Sequence, residues 1–176
     1  MSITPVLQVV GYKNSGKTTT ACRLIEYFAQ RGLKVGSIKH DAHDFEVDYP
    51  GKDTWRHREA GASAVAISSK DKTAYMEQVG TSLEDLISRM SHMELIVVEG
   101  YKFSDYPKIV LLRDEQDLPL LDQTKEIVAI YSWFSYHHPT IPVVPMNDIE
   151  TLINLLNKFL CEKHGGQYEK LCNCKG

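Results

Sequence analysis

Two kinds of apolar pattern alternate along this chain: short runs in which nearly every position is apolar, and longer stretches in which apolar residues recur every three to four positions. "VLQVVG" at 6–11 is of the first kind and ends at a glycine, which predicts a strand buried on both faces. In the following "KTTTACRLIEYFAQRG", Cys22, Leu24, Ile25 and Phe28 stand at helical spacing and Gly32 supplies a stop. "KVGSIKH" gives a second strand, and residues 40–53, rich in Asp, His, Pro and Gly, carry neither period and read as a loop. A short helix over 54–60 closes at Gly61. "SAVAISS" and "TAYMEQV" then form two strands around the polar turn "KDK". "SLEDLISRM" predicts a helix capped by Thr81 or Ser82, and "LIVVEG" a second buried strand with an acid at its end. "PKIVLLR", "EIVAIYS" and "IPVVPM" are three further strands, and "DIETLINLLNKFLCEK" is an amphipathic helix capped by Asp148. Strands alternating with helices predict an α/β fold with a largely parallel twisted sheet and helices on both faces.

At 176 residues and 43% hydrophobic, the chain suffices for one core, which gives a domain over 1–164 followed by a polar tail over 165–176. A formal charge of -3 supplies no general basic field, so nucleic acid is not an expected partner and any anion site must be local. No apolar run is long enough to cross a bilayer, and "MSITP" leads directly into a strand without a basic leader, so a cytoplasmic protein with reduced thiols is expected.

The chemistry concentrates in three places. "GYKNSGKT" at 11–18 fits G-x-x-x-x-G-K-[ST] between a buried strand and a helix, the setting in which that pattern grips phosphates and marks a P-loop NTPase-type fold. Gly11 and Gly16 let backbone amides turn inward, with Lys13, Asn14, Ser15 and Thr19 completing the loop. Lys17 bridges phosphates, and the Thr18 hydroxyl is placed to ligate Mg²⁺. The required second metal group is an acid at a neighbouring strand end; Glu99 fits by position, and Gly100 lets the backbone approach closely. The third place is "KHDAHDFEVDYPGKDTWRHREAGA". If its loop lies at the carboxyl edge of the sheet, Asp44 and Asp48 serve metal or water, with Asp44 a third metal candidate. Lys52, Lys39, Arg56 and Arg58 then offer cations, with Lys39 and His40 beside the nucleotide. A solvated loop with surface ion pairs is the competing reading. His40 and His43 have H-x-x-H spacing but lack further zinc ligands. Cys161, His164, Cys172 and Cys174 approach structural zinc spacing, with a frayed tail as the alternative.

"GYKNSGKTT", the middle motif, and "LIVVEGYK" followed by "PKIVLLR" together resemble the MobB family over about residues 4–150. Gly11, Lys13, Gly16, Lys17 and Thr18, then Lys39, His40, His43, Asp44, Asp48, Pro50, Gly51, Lys52 and Asp53, then Glu99, Gly100 and Lys102 are the matching positions. The resemblance implies a homodimer that binds GTP with Mg²⁺ and is at most a weak GTPase. It also implies that the protein assists the guanylyltransferase MobA, which joins GMP to molybdopterin to give the guanine dinucleotide form. No N-K-x-D motif is present, so guanine preference comes from the resemblance and not from residues; Asn147 and Asp148 alone stand at a similar late position. A scaffold that holds nucleotide without turnover and a small-molecule P-loop kinase are the alternatives.

Overall fold

The structure is a computed structural model that describes residues 4–41, 45–168 and 171. His43, Asp44, Cys172 and Cys174 lie outside these residues. The elements run β1 (Val6–Val10), α1 (Lys17–Gln30), β2 (Val35–Lys39), α2 (Asp53–Glu59), β3 (Ala64–Ser68), β4 (Thr73–Glu77), α3 (Leu83–Arg89), β5 (Leu95–Glu99), β6 (Lys108–Leu112), α4 (Pro119–Gln123), β7 (Ile127–Ser132), β8 (Val143–Pro145) and α5 (Ile149–His164). They fall into two compact units, one made of residues 1–40 and 83–176 and the other of residues 41–82.

The first unit is built on a six-stranded sheet of order β2-β5-β1-β6-β7-β8, and every pairing in it is parallel. Fully buried β1, β5 and β6 explain the unbroken apolar runs, because their side chains enter a core on both faces. Leu7, Val9, Val97 and Leu111 meet Leu24 and Phe28 of α1 and Leu152 and Leu156 of α5 on one face. Val6, Ile96 and Val98 meet Leu83 of α3 on the other, while Val10, Val110, Leu112 and Ile130 gather around Leu120 of α4. Order 2-5-1-6-7-8 turns back between β1 and its neighbours, so the crevice for a ligand opens at the carboxyl end of β1, where the phosphate loop stands.

Three local readings change. Cys22 is exposed, and the inward face of α1 is Thr20, Ala21, Leu24 and Phe28, one helical stripe on which position 22 does not fall. Residues 115–123 hold a 3-10 turn and the short α4, started by Asp114, whose side chain accepts from Gln116 N, and by Pro119 in the first turn. Cys161 is disulfide-bonded, which departs from the expectation of reduced thiols, and Cys172 and Cys174 of the zinc reading lie outside the described residues. The Asp148 cap stands as expected: its Oδ1 accepts from Thr151 N at 3.0 Å.

Buried polar groups secure the segment that follows β5. Lys108 is fully buried, yet its ammonium donates to the carbonyls of Ser104, Tyr106 and Lys125 at 2.8, 2.8 and 2.7 Å. Gln8, equally buried in β1, donates through Nε2 to the carbonyls of Gly100 and Tyr101 at 3.2 and 3.0 Å. A lysine in the core is tolerable only because each of its protons meets an acceptor. Together these two side chains fix residues 100–107, which carry Lys102.

The second unit packs α2 with the antiparallel β3–β4 hairpin. Arg58 of α2 donates to Glu46 Oε2 at 2.9 Å and stands 3.8 Å from Asp48 Oδ2. Phe45, Val47 and Tyr49 alternate with these acids and are exposed, as are Ile67 and Tyr75 of the hairpin and Val79 beyond it.

Candidate functional site

The phosphate loop runs from the end of β1 to the start of α1. Asn14 at φ 63° and Gly16 at φ 100° both take the left-handed conformation, which turns successive amides toward one side. Asparagine tolerates that geometry, and a side chain at Gly16 would be strained. The first turn of α1 contains no acidic side chain, so nothing of its own neutralises the positive end of the helix dipole. Gly11 has a different requirement: a Cβ there would stand 2.5 Å from Ser15 Oγ and 3.0 Å from the Leu111 carbonyl, so the loop closes only over a glycine.

Lys17 lies along this loop with Nζ donating to the Tyr12 carbonyl at 2.7 Å. Burial lowers its pKa; Glu99 acts in the opposite sense, and the cations Lys102 and Lys39 add to the lowering. Lys102 Nζ rests 4.5 Å from the centre of the Tyr12 ring. Three ammonium groups thus act on one small volume beside inward amides, an arrangement that favours a polyanion. A bound phosphate chain favours the charged form of Lys17. Above its lowered pKa, therefore, binding takes up a proton and affinity falls as pH rises. We expect triphosphate affinity to decline at alkaline pH before the ordinary lysine value of 10.5 is reached. Calorimetry in buffers of different ionisation enthalpy should show proton uptake in that range, and a pH-independent affinity with no proton uptake would remove Lys17 from the contact.

Thr18 and Glu99, separated by 81 positions, are brought together as their strand and helix ends converge: Thr18 Oγ1 donates to Glu99 Oε1 at 2.8 Å. Glu99 is 9% exposed at the end of β5. A hydroxyl and a carboxylate in contact beside a phosphate grip are the protein ligands that Mg²⁺ uses while keeping water and phosphate oxygens for its other positions. The donor set present here fits the ion. Gly100, at φ 96°, puts its α-carbon against His40, whose Cβ would lie 3.0 Å from a methyl placed there. His40 N donates to Glu99 O at 2.9 Å, and its ring packs against Tyr101 with centroids 4.5 Å apart and planes tilted by 36°. Lys39 and His40 therefore stand at the carboxyl end of β2, the strand adjacent to Glu99.

Within the second unit, Asp48 Oδ1 accepts from Tyr49 N at 2.9 Å and from Thr54 Oγ1 at 3.1 Å, and Arg58 lies near its other oxygen. Lys52 is exposed and immediately precedes α2. Asp44 falls outside the described residues, as does His43. Among the described residues, no three His, Cys, Asp or Glu side chains gather as a metal cluster.

The sequence reading missed a cleft of ≈ 740 Å³ that opens beside Gly16 and Thr19, between α1 and the carboxyl ends of β7 and β8. Trp133 stands on its wall, 59% exposed, with its indole Nε1 donating to the Ser15 carbonyl at 2.9 Å. Arg23, Ser135 and Asn147 are among its polar residues. The available signal was positional: "SWFS" and "PMN" both follow strands at the edge where ligands bind.

Comparison with known proteins agrees with this geometry. The family model described as "Molybdopterin guanine dinucleotide synthesis protein B" matches residues 6–133. The molybdopterin-guanine dinucleotide biosynthesis adapter protein of Haemophilus influenzae is 32% identical over 167 residues, covering 93% of each chain. Its counterpart in Escherichia coli is 32% identical over 171 residues, covering 92% of this chain and 96% of that one. The crystal structure of Bacillus subtilis MobB superposes with a TM-score of 0.76 at 31% identity, over 88% of this chain and 97% of that one. With the family's model spanning the phosphate loop and Glu99, and relatives aligned along nearly their whole length, the chain belongs to the MobB family.

Proposed function

We propose that this protein binds GTP with Mg²⁺ and acts in the cytoplasm as the adapter of molybdopterin-guanine dinucleotide biosynthesis. In that role it assists the guanylyltransferase MobA, which joins GMP to molybdopterin. The observation that carries this reading is the Thr18–Glu99 contact next to Lys17 in sequence, which brings a carboxylate from the end of β5 to the phosphate loop. The names of the relatives support the pathway, and no helix among the described residues is long and apolar enough to cross a membrane.

In this reading the loop amides from Gly11 to Thr18 hold the phosphates, with Lys13 and Thr19 at the margins. Lys17 exchanges the Tyr12 carbonyl for phosphate oxygens. Thr18 and Glu99 hold Mg²⁺, which when bound offsets phosphate charge. Lys39, His40 and Lys102 add polar and positive groups at the same strand ends. Hydrolysis of the bound GTP is weak at most, as the family resemblance implies. Replacing Glu99 by Gln deletes a charge at nearly constant volume. The magnesium dependence of nucleotide binding should then weaken by about tenfold, with a smaller change in metal-free binding. A magnesium titration identical to that of the parent would take Glu99 out of the site.

The homodimer belongs to the same proposal. Phe45, Val47, Tyr49, Ile67, Tyr75 and Val79 leave large apolar side chains exposed in one unit, more than scattered surface residues require. Titration with GTP and with ATP, each followed by assay of phosphate release with and without candidate acceptors, separates the alternatives. GTP preference with slow, acceptor-independent release is expected. ATP preference, or release that depends on a small acceptor, would favour the kinase.

A further inference from the structure

We propose that the cleft between α1 and the carboxyl ends of β7 and β8 holds the purine base of the bound nucleotide. The Trp133 indole is its stacking face and the Asn147 amide meets its edge; this rests on the nucleotide-binding reading above. The cleft begins at the phosphate grip itself, since Gly16 and Thr19 line it, so a nucleotide whose phosphates occupy the loop has its sugar and base directed along this wall or into solvent. A volume of ≈ 740 Å³ is sufficient for a nucleoside.

Trp133 is unusual among the exposed aromatics because it is held. Its Nε1 donates to the Ser15 carbonyl across 118 residues of sequence, and a methyl placed at Gly16 would stand 3.9 Å from Nε1 and Cζ2. The indole edge thus rests on the phosphate loop, with 59% of the residue still exposed. Residues just beyond are fixed as well: Ser132 Oγ donates to the Phe134 carbonyl at 2.8 Å, which sets the turn after β7. An aromatic plane immobilised beside a phosphate site loses little entropy when a base stacks on it.

The polar groups narrow the choice of ligand. Among the described residues no acid lines the cleft, and Arg23 contributes a positive charge. Of the two polar residues after β8, Asp148 is committed to Thr151 at the start of α5, whose side-chain and backbone hydrogen bonds lower its pKa. Asn147 lines the cleft and carries both a donor and acceptor, the requirement for pairing with a purine edge.

Calorimetry with GTP, ATP and inorganic tripolyphosphate, each with Mg²⁺, provides the test. Trp133→Ala should weaken GTP binding by about tenfold or more and tripolyphosphate binding by less than about threefold, because stacking acts on the base alone. Trp133→Phe, which keeps an aromatic face without the N–H, should recover most of the GTP affinity. Asn147→Ala should change the ratio of GTP to ATP affinity. In a Trp55→Phe background, Trp133 emission should respond to GTP and not to tripolyphosphate. Equal losses for GTP and tripolyphosphate in Trp133→Ala would make the indole a support of the loop and overturn the base site. Unchanged GTP affinity would do the same, and an unchanged GTP to ATP ratio would remove Asn147. If the parent protein binds tripolyphosphate and GTP equally, the base site falls while the phosphate grip stands. If it binds neither, the nucleotide-binding reading falls first and takes this proposal with it.

Discussion

Lys17→Ala should lower triphosphate affinity by at least about a hundredfold while leaving the fold intact. Hydrogen bonds to charged groups contribute about 1.5–3 kcal/mol each, and a lysine spanning two phosphates makes at least two of them. The cost to the fold is small because Lys17 begins α1 outside the core, and its only direct hydrogen bond in the structure, among the described residues, goes to the Tyr12 carbonyl. That carbonyl faces the loop and can be taken over by water. Titration calorimetry gives the affinity, and far-ultraviolet circular dichroism with a thermal melt reports the fold. Retained affinity would show that the phosphates are held elsewhere, and lost affinity with a lost fold would show that Lys17 is structural.

Lys108→Ala should have the largest effect on stability, about 3 kcal/mol or more, which for a chain of this size lowers Tm by about 10 °C. The substitution removes three charge-assisted hydrogen bonds and leaves the carbonyls of Ser104, Tyr106 and Lys125 without this donor. It also leaves a cavity where the buried stem stood. Lys108→Met refills most of that cavity without donating, so it should cost less than Ala and more than nothing. A pH dependence follows from the same burial, which lowers the ammonium pKa, with Asp105 and Glu126 opposing. Between the lowered folded value and the ordinary 10.5, the unfolded chain holds the proton more than the folded one, so this group's contribution to stability rises with pH across that interval. Melts of parent and Lys108→Met across alkaline pH should differ in slope in that sense. A parallel pair of curves, or a Lys108→Ala protein as stable as the parent, would contradict the account of this buried lysine.

Lys108 also illustrates where sequence reading stops. "PKIVLLR" predicts β6, and a lysine at its first position reads as a charge left at the sheet's end. Only the return of residues 104–106 and 125 around that position converts it into a core residue. Elements set by local pattern were legible for the opposite reason. β1 and β5 are continuous apolar runs because both faces of the sheet are covered, and Asp148 caps α5 three residues from its own partner. The phosphate loop was legible because all its parts lie within eight positions, and Glu99 because strand ends in such sheets share one edge. Trp133 was not, since its partner Ser15 is 118 residues away and nothing in "YSWFS" marks an indole as fixed. The short α4 was hidden in "DLPLLDQ", where five helical residues give less than two turns of periodicity. In the middle motif, Asp48 reads as a metal or water group, and its contacts with Thr54 and Arg58 become recognisable only once α2 is folded.

The adapter role itself is tested most directly by following GMP transfer to molybdopterin by the guanylyltransferase, with GTP held limiting, in the presence of this protein or of its Lys17→Ala variant. The account predicts faster formation of the guanine dinucleotide with the parent protein, by about threefold or more at matched concentrations, and no gain with Lys17→Ala, because the phosphate grip is what delivers the nucleotide. Equal rates with the parent, with Lys17→Ala and with neither would contradict it.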